Sequence, residues 1–173
     1  MTTTLPRMRG RSEHALDEKG RVILPLKFRE ALGPEFMLVT SPGPCLRAYP
    51  MAVFDRMEDD IRSASVFDEA CTDMQAMQRM FYEGDVCSLD QQNRLTIPRA
   101  LRKHADFGHL DNDAVIIIGM GDKLELWSVT AWAAYKQTLD AQTLNRAAER
   151  LRRTGMAQNT APEAGDGPSP ADA

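Results

Sequence analysis

Only 6% of the 173 residues are aromatic, and three are cysteine: Cys45, Cys71 and Cys87. Thiols that are odd in number and far apart, with no Cys-x-x-Cys pair, argue against a disulfide framework. They suit reduced, buried side chains in a cytosolic protein. His14, His104 and His109 show no metal-ligand spacing with them, so no metal site is expected. No apolar run exceeds Ala114–Ile118, far short of the roughly 20 residues that cross a bilayer. Met1–Gly10 is polar, basic and broken by Pro6, unlike a secretory leader. No membrane partner is expected, and a cytoplasmic location is. Gly-x-Ser-x-Gly and a phosphate loop ending in Gly-Lys-Ser/Thr are missing too. Gly119-x-Gly121 lacks the strand-then-helix setting of a dinucleotide site and reads as a hairpin turn. Glu58-Asp59-Asp60 reads as a solvated helix face. No enzyme, cofactor or small-molecule substrate is indicated.

The chain also lacks an excess of positive charge. Its formal net charge is −4, which taken alone argues against a nucleic-acid partner. The distribution reverses that reading. Residues 1–29 hold seven Lys and Arg against three Asp and Glu, whereas residues 50–80 hold seven Asp and Glu against three Arg. A local field, not the total, attracts phosphate.

What is present is an internal repeat. Leu16-Asp17-Glu18-Lys19-Gly20-Arg21-Val22-Ile23-Leu24-Pro25-Leu26-Lys27-Phe28-Arg29 returns as Leu89-Asp90-Gln91-Gln92-Asn93-Arg94-Leu95-Thr96-Ile97-Pro98-Arg99-Ala100-Leu101-Arg102. Leu, Asp, Arg, Pro and the last Arg recur in register. Each copy reads as strand, turn, strand and Pro-initiated helix. Gly20 takes a positive φ without steric cost, and Asn93, at the same place, is the residue that next best tolerates it. The alternation of Leu95-Thr96-Ile97 puts Leu95 and Ile97 inside and Arg94 outside. Carried to the first copy, that phase buries Val22 and Leu24 and exposes Arg21; a slip of one residue would bury both arginines. Pro25 and Pro98 fit the first helical position, opening helices Pro25–Leu32 and Pro98–Ala105 with Phe28 and Leu101 inward and Gly33 ending the first.

Beyond the motif, Phe36–Val39 aligns with Ala114–Ile117, and Leu46–Tyr49 with Leu124–Trp127, across turns at Ser41–Pro44 and Gly119–Asp122. Closing helices match through Phe54, Met57 and Ile61 against Trp132, Tyr135 and Leu139. The expected organisation is a basic N-terminal arm over residues 1–11, repeat 1 over 12–53, a helical connector over 54–83, repeat 2 over 84–127, a C-terminal helical region over 128–153 and a disordered tail over 154–173. In the connector, Ser65–Tyr82 reads as one helix with a stripe of Ala70, Met74, Met77 and Phe81. Gln142–Arg153 reads as an extension of the last helix.

Asp-x-x-Gly/Asn-Arg with Pro four residues on, present twice, carries two readings. In one, each Arg only pairs with its own Asp, an exposed ion pair contributing about 0–1 kcal/mol. In the other, a β-hairpin lays its Arg against phosphates or base edges in a groove, with Asp orienting it. The pattern resembles the looped-hinge-helix domains called AbrB- or SpoVT-like, and two copies with Arg9-Gly10, Leu46–Pro50 and Leu124–Ser128 resemble the MraZ family over about residues 8–140. That resemblance implies an α+β, mainly β fold: a pseudo-twofold swapped-hairpin β-barrel of the AbrB/MazE type, built from two tandem repeats with flanking helices.

It also implies a ring-like homo-oligomer that binds promoter repeats of double-stranded DNA in the division and cell-wall gene cluster, hence a nucleoid-associated transcriptional regulator. Arg21 falls on the DNA-contacting position, with Lys19 beside it; Arg9, Arg11 and Arg94 complete the candidate contacts. Asp17, Gly20, Pro25, Asp90, Asn93 and Pro98 are the motif's structural residues. Gln92 and Asn93 depart from the family pattern, which makes the second hairpin the weaker contact. The rival reading is an interaction module, antitoxin-like or a scaffold, that captures a partner through its helices.

Overall fold

The computed structural model describes residues 7–65, 72–108 and 114–159. Repeat 1 contributes β1 (Met8–Ala15), β2 (Arg21–Ile23), α1 (Leu26–Leu32), β3 (Glu35–Thr40), β4 (Cys45–Pro50) and α2 (Met51–Ser65). After α3 (Thr72–Tyr82), repeat 2 supplies β5 (Gly84–Ser88), β6 (Arg94–Thr96), α4 (Arg99–His104), β7 (Ala114–Gly121), β8 (Leu124–Ser128) and α5 (Val129–Thr138). The last helix is α6 (Ala141–Asn159). The chain divides into two compact units, Met1–Ala134 and Tyr135–Ala173.

Six strands form an antiparallel sheet in the order β1-β7-β8-β4-β3-β5, and β2 pairs with β6 as a separate ribbon. Exchanging equivalent strands of the two repeats turns the six-strand order into its own reverse, so a pseudo-twofold axis passes between β4 and β8. The first strand of each repeat pairs with the third strand of the other, as the swapped arrangement requires. Single bridges, Leu16 to Val22 and Leu89 to Leu95, tie the ribbon to β1 and β5 at the two sheet edges. At the axis the ribbon sets Val22 against Leu95 and the sheet sets Arg47 against Glu125.

One core fills the space between ribbon and sheet. Val22, Leu24, Leu95 and Ile97 meet Phe36, Leu38, Val115 and Ile117, with Phe28 of α1 and Leu101 of α4 closing it. Each fully buried side chain of this size contributes about 1.5–3 kcal/mol. The outer face of the sheet is covered twice. Met37, Val39 and Tyr49 pack with Val53 and Phe54 of α2 and Phe81 of α3; Cys45, Ile116 and Trp127 pack with Ala131 of α5.

Several boundaries differ from the sequence reading. β1 starts at Met8, not Ser12, because Met8 is buried in the core and its strand is paired along its whole length with β7. Residues 1–6 of the expected arm lie outside the described residues. β7 runs on to Gly121, so the expected turn at Gly119 is strand. A Cβ at Gly119 would lie 2.5 Å from the Arg9 nitrogen, and the close approach of β1 needs glycine there. Phe36 is equivalent to Val115, not Ala114: Phe36 and Val115 both face the core, whereas Ala114 is half-exposed. A slip of one residue would invert every side chain of the strand.

Pro25 and Pro98 cap their helices from just outside, with ψ 145° in each. Of the expected connector helix, Ser65 ends α2 and Thr72–Tyr82 forms α3; residues 66–71, Ala70 and Cys71 among them, lie outside the described residues, as do the side chains of Met74 and Met77. α6 is a separate helix whose start is capped by Asp140, its Oδ1 accepting from the Thr143 N–H at 2.7 Å. It continues to Asn159, so residues 154–159 are helical, and the rest of the expected tail lies outside the described residues.

The axial pair Arg47–Glu125 is an ion pair at 3.2 Å, and Glu125 also accepts from the Trp127 indole N–H at 3.1 Å. Glu125→Arg is expected to lower stability by about 2–3 kcal/mol, the scale of a charged hydrogen bond lost in a part-buried site. Arg47→Glu with Glu125→Arg should recover much of it, measured as urea midpoints at constant m-value.

Candidate nucleic-acid interface

Both turns are built by one carboxylate each. Asp17 Oδ1 accepts the backbone N–H groups of Lys19 at 3.0 Å and Arg21 at 2.9 Å. Its Oδ2 accepts the Arg21 guanidinium through Nε at 2.7 Å and Nη2 at 2.6 Å. The second turn repeats this: Asp90 Oδ1 takes Gln92 N–H and Arg94 N–H, both at 2.9 Å, and Oδ2 takes Arg94 Nε at 2.8 Å and Nη2 at 2.7 Å. Asp suits this place because a short side chain reaches backbone donors two and four residues on. Gly20 and Asn93 close the turns at φ 74° and 62°. The Asp–Arg pair of the local reading is therefore formed in both hairpins.

The turns are also laced across the repeats. The Gly20 carbonyl accepts from Ile97 N–H at 2.9 Å and the Asn93 carbonyl from Leu24 N–H at 3.1 Å. Ribbon pairing sets Arg21 opposite Thr96 and Ile23 opposite Arg94. With Val22 and Leu95 facing the core, these four side chains share the outward surface. Arg21 and Arg94 are 25% and 23% exposed, and Ile23 is 52% exposed. The structure thus brings Arg21 and Arg94 together on one ribbon, with Lys19 exposed at its first turn. Arg9 and Arg11 are placed elsewhere. They stand exposed on β1 opposite Met120 and Ile118, and Arg11 pairs with Glu13 at 2.9 Å.

Two further arginines were not singled out from sequence. Arg29 and Arg102 occupy equivalent places on α1 and α4, and the Nε of each is buried without a hydrogen-bond partner. The Arg102 side chain covers Gly20, where a Cβ would come within 2.8 Å of three of its atoms. Gly20 thus suits both the positive φ and the close packing of Arg102, which a Cβ would displace. The available signal was the final Arg of the motif, which recurs in both copies. Lys27 Nζ lies 4.7 Å from the Phe28 ring centroid, a cation–π contact that holds its charge near Gly10.

The two hairpins differ in their surroundings. An open groove beside the second is lined by Asp85 and Asp90 as well as Arg94 and Thr96. Where repeat 2 has Asp85, repeat 1 has Ser12, and where repeat 1 has Lys19, repeat 2 has Gln92. His104 has a structural place, its Nε2 3.0 Å from the Ser41 carbonyl and 3.1 Å from that of Gly43. Burial pushes the thiols of Cys45 and Cys87 up to about 11, which suppresses thiolate chemistry. Among the described residues, no cluster of three or more His, Cys, Asp or Glu has metal-binding geometry, and no helix is long and apolar enough to cross a membrane.

The sequence model of one family, described as "MraZ protein, putative antitoxin-like", matches residues 8–77 and again 80–154, once per repeat. The chain is 37% identical over 141 residues to the transcriptional regulator MraZ of Natranaerobius thermophilus, covering 81% of this chain and 94% of that protein. It is 38% identical over 133 residues to that of Moorella thermoacetica, with 76% and 88% covered. It is 35% identical over 150 residues to that of Acetivibrio thermocellus, with 85% and 98% covered.

Three outcomes follow from the turns. Hydrogen bonding from the Arg21 side chain holds the Asp17 carboxyl below its ordinary value of 3.8, and Arg94 does the same for Asp90. A depressed carboxyl pKa contributes stability above the unfolded value, lost as pH falls through the folded one. The clamps should therefore stay closed throughout neutral pH and open only in acid, with NMR midpoints for both carboxyl groups under 3.8. Gly20→Ala should cost about 1–2 kcal/mol from the positive φ alone, and more from displacing Arg102; Asn93→Gly should change thermal stability by less than about 1 kcal/mol.

Proposed function

The chain belongs to the MraZ family, and from that premise we propose that it is a transcriptional regulator that reads double-stranded DNA with the β2–β6 ribbon, Arg21 being its principal contact. The observation that carries this reading is the pair of Asp-clamped arginines held outward on one rigid ribbon. Each carboxylate takes Nε and Nη2 of its arginine, and no hydrogen bond or ion pair of the described residues involves Nη1. A guanidinium fixed in this way meets a base edge or phosphate with little ordering cost. The exposed Ile23 and Thr96 beside them suit thymine methyl groups and base-edge hydrogen bonds.

A carboxylate on each arginine leaves little net charge at the ribbon itself. The attracting field then comes from cations around it, Lys19, Arg29 and Arg102 foremost, and it favours the first hairpin over the second with its acidic groove. Arg9 and Arg11, on β1, act as secondary phosphate contacts. One ribbon makes few contacts, so a ring-like homo-oligomer on several promoter repeats raises affinity through effective concentration. Repression of its own division and cell-wall operon, in the nucleoid, is the regulatory reading consistent with the family. The second reading is an antitoxin-like or scaffold module that captures another protein through its helices. What favours it is the same clamp, which neutralises each motif arginine, together with the exposed carboxylates of α2.

A mobility shift with DNA from upstream of its own gene separates them. Wild type should shift that DNA, with log affinity falling linearly with log salt at a slope of about −0.9 per phosphate contact. Arg21→Ala should weaken binding about tenfold or more without changing the mass of the assembly, and Arg94→Ala should weaken it less. Unchanged binding by Arg21→Ala would remove the residue assignment. No shift by wild type at low salt would remove DNA binding itself.

A further inference from the structure

α6 is built unlike the helices that cover the sheet. Every side chain described in it, through residue 154, is exposed. Yet it is amphipathic: Leu144, Ala147, Ala148 and Leu151 recur at the spacing of one helical face, with Leu144 58% and Leu151 74% exposed. In proteins most helical stability comes from packing such an amphipathic face rather than from propensity. The flanks of the stripe carry Arg150 on one side and Arg152 on the other. Over its length α6 has four Arg and one Glu.

The occupant of such a face needs an apolar centre with a carboxylate rim. A second α6 is unsuitable, because it would bring arginine flanks against arginine flanks. DNA would neutralise the arginines but leave the leucines in water. The α2–α3 surface has the complementary character. Tyr82 of α3 is half-exposed and its hydroxyl donates to Glu58 of α2 at 3.1 Å. Asp55 and Asp59, one turn apart on α2, are exposed next to it. Ile61 is partly buried at the same helix. α2 carries four acidic residues against two Arg, and one of those, Arg62, is already paired with Glu58.

We propose that α6 of one subunit docks its leucine stripe on the Tyr82 patch of a second copy, with Arg150 and Arg152 reaching the carboxylates of that copy's α2. The contact is heterologous: donor and acceptor surfaces differ, so each subunit offers one of each. Repeated around a closing rotation it produces a ring; without closure it produces a filament. The inference rests on the reading of the chain as a multi-subunit DNA-binding assembly, and it names the surfaces by which subunits join.

The test uses the full chain and two reciprocal variants, R150E/R152E and D55K/D59K, with mass measured by sedimentation in the absence of DNA. Wild type should form a large assembly that dissociates as salt rises. Each variant alone should lose it, with association at least tenfold weaker. An equimolar mixture should recover it, since the acidic α6 of one variant faces the lysine-bearing α2 of the other. Matching thermal unfolding of the variants shows that the sheet and ribbon unit is intact. Wild-type mass in either variant, failure of the mixture to reassemble, or a monomeric wild type overturns the proposal. So does R150E/R152E that keeps its mass but loses DNA binding, which would assign α6 to nucleic acid. Loss of DNA binding by Arg21→Ala bears on the ribbon alone, so the two readings fail separately.

Discussion

Strand exchange between the repeats is the constraint on which the rest of the structure depends. The four strands of one repeat do not enclose a core; β1 needs β7, β5 needs β3, and β2 needs β6. The hydrogen bonds that close the ribbon also cross from one repeat to the other, from Ile97 to Gly20 and from Leu24 to Asn93. Buried backbone groups must be paired, so neither half satisfies its own backbone. Val22 against Leu95 then sits at the centre of both the ribbon and the symmetry. The candidate DNA surface is the back of this pairing. Anything that loosens the core beneath Val22 and Leu95 also releases the arginines above them.

The Asp–Arg clamps change what the motif arginines do. A free surface arginine supplies charge and is mobile; a clamped one supplies direction and little net charge. Separation of tasks follows. Arg21 and Arg94 are placed for geometry, whereas unclamped cations such as Lys19 supply field. This reconciles a net charge of −4 with the proposed nucleic-acid role. It also explains why Arg102, packed over Gly20, belongs with the hairpin although it lies on a helix of the other repeat.

Where the pseudo-symmetry is broken, the break has a physical content. At the axis two identical chains would place like charges opposite each other; a tandem chain places Arg47 opposite Glu125 and gains an ion pair. Around the hairpins, Lys19 against Gln92 and Ser12 against Asp85 bias the field toward the first. On the outer face, α2 and α3 cover one half of the sheet and α5 the other, and α2 carries four acidic residues. Fusing the two halves lets their surfaces diverge, and the proposed heterologous contact uses two such different surfaces.

Much of this was legible in the residues. The repeat, the positive φ at Gly20 and Asn93, the inward phase of Val22, Leu24, Leu95 and Ile97, and the burial of Phe28 and Leu101 all follow from patterns within a few neighbouring positions, where turn chemistry and alternation act. Other features are decided by partners far away in the chain. Met8 belongs to a strand because β7 is long enough to pair with it. Val115 rather than Ala114 faces the core because β8 and β1 fix the register of β7. Arg9 and Arg11 leave the ribbon because β1 lies at the sheet edge, and Arg102 reaches Gly20 because the repeats interlock. Local sequence determined the twin hairpins and what they present; tertiary pairing alone decided which charges stand beside them, since that depends on contacts between residues that no local pattern relates.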